Sequence, residues 1–203
     1  MLEWVRSATN KVEILPRDPE RAKQALYEAQ VTTRSPMGAI VYESGGILVD
    51  DGWIRILGSG SPRLGRSLMA WNVGKSMDQT GETPSFLLVA DDAIGGFFAI
   101  NGGAFGEESK GLLFYLPPDT LTWEALDVTY SKFLDFCFSG DLAQFYKGMR
   151  WTNWQADLKN LKGDESISFF PFLWTKESKD INSVSRTSVP VEELWALHSQ
   201  QKK

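Results

Sequence analysis

The sequence predicts an α+β protein in which an antiparallel meander sheet of about six strands carries helices on one face, in a single domain over residues 1–203. Three observations predict it. Residues 38–58 and 86–116 break into short β-rich runs divided by turn formers. Those turns are too short to hold the crossover helices that a parallel sheet needs. After Pro117-Pro118 the apolar spacing changes from strand-like to helical.

The first element is a helix opened by Asp18-Pro19, because Asp caps free amides and Pro suits the first helical position. Ala22, Ala25, Leu26 and Ala29 form its apolar stripe. From Gly38 the string GAIVYESGGILVDDGWIRILG reads as three strands, with Ser44-Gly45-Gly46 and Asp50-Asp51-Gly52 as turns. A polar, interrupted stretch over 61–84, with one short helix near Leu64 to Trp71, reads as a mobile insertion between residues 1–60 and 85–203.

The second meander predicts strands near 86–90, 95–100 and 112–116. Tyr130, Phe133, Leu134, Cys137 and Phe138 then share one helix face. Ser139-Gly140 ends that helix and Asp141 caps a successor. Trp151, Trp154, Leu158 and Leu161 mark another helical stripe, ISFFPFLW reads as extended, and Pro190 starts a last helix with Val191, Leu194, Trp195 and His198 on its face.

Composition removes several functions. With 21 Lys and Arg against 26 Asp and Glu, the formal charge is −5, and no basic block faces a nucleic acid; Arg55, Arg63 and Arg66 are spread along a glycine-rich stretch. No apolar run is long enough to span a membrane, so no membrane partner is expected. One cysteine and an amino terminus without a signal-peptide core predict the cytoplasm. One His and one Cys exclude a His/Cys zinc site, and neither a metal nor a cofactor is expected.

Candidate motifs are few. Gly74-Lys75-Ser76 imitates the end of a P-loop, but the required earlier glycine is Met69. Gly58 and Gly60 begin a dinucleotide pattern whose third glycine is Arg63. Two carboxylate pairs remain, Asp50-Asp51 and Asp91-Asp92. Paired carboxylates can run acid/base chemistry, and Asp also accepts backbone bonds in turns. A hydrolase-type reading places Asp91 or Asp92 in a cleft with Asn101 and Arg34. A binding reading uses surplus aromatics, with Trp71 and Trp151 as an exposed pair on a partner surface.

The strings VTTRSPMGAIVYESGGILVDDGWIRILGSG, VADDAIGGFFAINGGAFG, PPDTLTWEALDVTYSKFLDFCFSGDLAQFY and SFFPFLWTKESKDI resemble the bacterial family called domain of unknown function 2625 over almost the whole chain. That family implies no reaction. The second half, with an Asp-rich turn, a Gly-Gly strand with Asn, a strand ending in Pro and the helix YSKFLDF, is similar to the SUKH superfamily. The first meander and ISFFPFLW lie outside that pattern. The superfamily likeness implies an α+β binding domain of the immunity or regulatory kind, with a toxin or regulator as protein partner and no site residues to carry over. An acidic chain suits a basic partner.

Overall fold

The computed structural model describes residues 2–200. Seven strands, β1 (Val12–Leu15), β2 (Gly46–Val49), β3 (Ile54–Leu57), β4 (Phe86–Asp92), β5 (Phe97–Asn101), β6 (Leu112–Leu116) and β7 (Glu124–Thr129), lie side by side in chain order. Every neighbouring pair is antiparallel, so the expected meander is present, with a strand added at each edge. β1 was not legible because VEIL is only four residues between polar segments. β7 was missed because its residues are exposed or half-buried, with no core stripe to read.

Tight turns set the register between strands. Asp50 and Asp51 both take left-handed backbone angles, φ 53° and 58°, and Trp53 N donates to Asp50 O at 3.0 Å to close the β2–β3 hairpin. The β4–β5 turn is held by Asp92, whose Oδ1 accepts from Ile94 N at 3.1 Å and Gly96 N at 2.7 Å.

Helices α1 (Leu2–Arg6), α2 (Pro19–Glu28), α3 (Pro36–Glu43) and α4 (Leu68–Asn72) belong to the first half, and α5 (Tyr130–Ser139), α6 (Leu142–Phe145), α7 (Trp154–Leu158) and α8 (Val191–Gln200) to the second. Asp18 caps α2 as expected, accepting from Glu20 N and Arg21 N, each at 3.0 Å. The run from Gly38 to Glu43 is not a strand. Ser35 Oγ accepts from Gly38 N at 3.0 Å with Pro36 at the first helical position, and this capped start overrides the β preference of Ile40, Val41 and Tyr42.

Phe97 and Phe98 are adjacent on β5 and point to opposite faces. Phe98 lies 4.9 Å from Phe133 of α5, whereas Phe97 meets Trp195 of α8 edge-on at 5.1 Å. Helices therefore cover the expected face through α5 and the second face through α8. A two-stranded sheet of β8 (Glu165–Phe170) and β9 (Ser185–Pro190) joins α8, with Ile167 N donating to Ala93 O at 2.7 Å.

In the 61–84 stretch Leu64, Leu68, Met69, Trp71, Asn72 and Met77 are buried, so much of it belongs to the core. Asn72 pairs with β4 at an irregular register: Nδ2 donates to Leu88 O at 2.9 Å and Oδ1 accepts from Leu88 N at 2.8 Å. Residues 78–83 are exposed.

Candidate functional site

The sheet register places Glu13, Leu48, Arg55 and Asp91 directly opposite one another across β1, β2, β3 and β4. Such a row shares one face. It runs from exposed Glu13 through half-buried Leu48 to Arg55 and Asp91, both fully buried. Facing it is the segment 158–165, which connects α7 to β8. Between them lies a cavity of about 710 Å³. Gly163 permits the approach of this segment to the loop at residue 63, because a Cβ there would fall 2.1 Å from Arg63 O.

Two arginines anchor the inner end. Arg55 Nη2 lies 2.5 Å from Asp91 Oδ1 and donates to Asp92 O and Ser166 Oγ, each at 2.6 Å, while its Nη1 donates to Glu165 O. Arg66 reaches the other oxygen of Asp91, and its Nε donates to Asp164 Oδ1 at 2.9 Å. Burial lowers the Arg55 pKa, and Asp91 opposes that. Burial would also lower Arg66, but its pairing with Asp91 and Asp164 leaves it raised. Both arginines remain cations, and Asp91 is held between them.

Asp92 points the other way. Its Oδ2 accepts from Tyr115 Oη at 2.6 Å and Tyr146 Oη at 3.2 Å, inside the aromatic core under α5. Burial raises its carboxyl pKa against the hydrogen bond from Tyr115. Burial likewise pushes both tyrosine hydroxyls well up, with the Asp92 charge adding to it.

The residues expected to form one site are therefore dispersed. Asp91 sits behind the cleft, and Asp92 is on the opposite face because successive strand residues alternate. Asn101 is at the far end of β5, opposite Phe86 rather than Asp91, where its Oδ1 accepts from Gly103 N at 2.7 Å and its Nδ2 donates to Gly106 O at 2.7 Å. Arg34 is exposed in the connection between α2 and α3. Trp71 and Trp151 are not an exposed pair. Trp71 is buried beneath Arg66 and Lys75, and Trp151 is buried against Trp53 and Phe169. Large rigid rings fill the core before they reach the surface.

His198 is also core: Phe97 and Trp174 pack against it edge-on, burial depresses its pKa to about 4, and Nδ1 has no hydrogen-bond partner. Burial raises the Cys137 thiol, leaving it protonated and inert. Among the described residues no three His, Cys, Asp or Glu side chains gather as a metal site, and no helix is long and apolar enough to cross a membrane.

Sequence reasoning noticed Arg55 and Arg66 only as scattered basic residues and missed Asp164, Ser166, Tyr115 and Tyr146. One signal was available. A charge within the strand IRIL, whose other residues are apolar, demands a buried partner. The partner's identity required the register.

The profile of the family described as "Protein of unknown function DUF2625" matches residues 1–194. The chain belongs to this family. YbfG of Escherichia coli (strain K12), described as uncharacterized, is 44% identical over 199 residues, covering 98% of this chain and 88% of its own. An uncharacterized protein of Haemophilus influenzae (strain ATCC 51907 / DSM 11121 / KW20 / Rd) is 42% identical over 200 residues, covering 98% and 87%. For this DUF2625 protein, then, family membership supplies the relatives and the cleft supplies the chemistry.

Proposed function

We propose that the chain is a non-catalytic protein-binding module, acting in the cytoplasm as an immunity or regulatory protein, with the cleft between the sheet and segment 158–165 as its binding site. One observation carries the reading: the cleft is lined by apolar side chains and by charges whose four carboxylates are all paired, without a convergent nucleophile and base. The likeness of the second half to SUKH domains supports the same class. The hydrolase alternative through Asp91 and Asp92 loses its motivation, since Asp91 is held by two guanidinium groups and Asp92 by two hydroxyls on the other face.

The experiment is capture of the tagged full chain from its native cells, followed by mass spectrometry and a hydrolase substrate panel. The expected result is one stoichiometric protein partner and no turnover. Turnover that disappears in both Asp91→Asn and Asp92→Asn, with no partner recovered, overturns the reading.

A further inference from the structure

The DUF2625 chain is acidic overall, yet its cleft is not. Five cationic residues line the cavity against four carboxylates. Each of those carboxylates already has a partner: Asp51 pairs with Lys11, Glu13 with Arg63, and Glu165 Oε1 with Lys162 at 3.4 Å. Asp164 accepts from Arg66 Nε at 2.9 Å and from Gly65 N at 2.8 Å.

Two donors are left over. Lys159, exposed at the rim, forms no ion pair with a described residue. Arg55 at the inner end has a side chain only 2% exposed, and its Nε lacks an acceptor. A buried guanidinium N–H without an acceptor is unusual, because buried donors are nearly always paired. Beside these donors, Leu48, Leu158, Leu161 and Pro190 supply apolar wall.

We infer that the cleft takes an acidic segment of a partner protein, with a carboxylate directed at Lys159 and the Arg55 end and its apolar neighbours against the leucine wall. This rests on the protein-binding reading above and names the chemistry of the partner. Charge complementarity makes the choice: unsatisfied donors attract an acceptor, whereas a basic segment would have to displace existing ion pairs. The surrounding net charge of −5 would oppose loose binding of any acidic chain, so the interaction is local to the cleft.

The test uses fluorescein-labelled hexapeptides of alternating Glu and Leu, Gln and Leu, or Lys and Leu, titrated with the full chain by fluorescence anisotropy. The acidic peptide is expected to bind at least about tenfold more tightly than the other two and to weaken at least about tenfold with Lys159→Glu, a change at an exposed position that leaves the core intact. Equal binding of the three peptides, or no loss with Lys159→Glu, overturns the inference. Displacement of the acidic peptide by free glutamate at equal concentration would assign the site to a small acid and overturn the segment. If native-cell capture recovers a partner that Lys159→Glu still holds, this inference fails while the binding-module reading stands. If no partner is recovered, the binding-module reading fails and the partner segment fails with it, even where the acidic peptide binds with the expected dependence.

Discussion

Asp91 and Asp92 are neighbours in the chain and chemically identical, and they inhabit two different regions of the molecule. Asp91 faces Arg55 and Arg66 behind the cleft, so its charge is compensated by charge. Asp92 accepts from two tyrosines and two backbone amides in the aromatic core, so dipoles rather than an ion pair hold it, with the Arg55 charge a lesser influence. The difference teaches that strand alternation, a period of two residues, can assign one carboxylate to an ionic site and the next to a neutral one.

The sharpest way to break the contrast is to remove each carboxylate in turn. Asp91→Ala leaves buried Arg55 without its carboxylate and Arg66 with Asp164 alone, and should destabilise the fold by about 3–5 kcal/mol, read from the urea midpoint. Asp92→Asn should cost only about 1–3 kcal/mol, because the amide oxygen still accepts from Ile94 N and Gly96 N. Equal losses from the two substitutions would show that Arg55 and Arg66 do not depend on Asp91.

The second test uses pH. His198 lies on the Asp91 side, and its pKa falls from 6.5 to about 4 on folding. The unfolded chain therefore binds the proton more tightly, and stability falls as pH is lowered from about 6.5 through about 4, by about 3 kcal/mol in total. Asp92 works in the opposite direction. Its folded pKa is raised above 3.8, so its contribution grows as pH falls through the folded pKa towards 3.8. Urea titrations should accordingly show a flattened acid limb for His198→Phe, and for Asp92→Asn a deficit larger at pH 4 than at pH 7. A His198→Phe curve parallel to wild type at all pH values would refute the first assignment.

The smallest effect resolves the neutral side. Tyr115→Phe should cost about 1–1.5 kcal/mol and Tyr146→Phe about 0.5–1 kcal/mol, since the Tyr115 hydroxyl sits at 2.6 Å from Asp92 and the Tyr146 hydroxyl at 3.2 Å. The reverse order in thermal melting would place the stronger bond at Tyr146.

Much of the fold was legible residue by residue. The caps at Asp18 and Asp141, the turn at Asp50-Asp51-Gly52 and the helix stripe from Tyr130 to Phe138 are written in local chemistry, and each appears in the structure. The helix from Pro36 was misread because Ile40, Val41 and Tyr42 favour strands in isolation, while the Ser35 cap and packing against α2 favour a helix. Of the candidate site, the sequence contained the residues but not their pairing. Arg55 is opposed by Asp91 only because β3 and β4 align there, and Ser166 reaches it from 111 positions away.

By itself, then, the sequence determined which faces the residues of each strand take and where the chain turns, since these follow from backbone geometry over a few residues. The spacing predicts a strand that stops near residue 90, with Asp91 and Asp92 together in the turn; β4 instead runs on through Asp92, and alternation then puts the two on opposite faces. Tertiary structure decided what each one meets. Placing segment 158–165 against the row from Glu13 to Asp91 creates the cleft, and folding α5 and α6 over the other face brings Tyr146 to Asp92. Those contacts depend on packing between distant segments, and such packing is a property of the closed core.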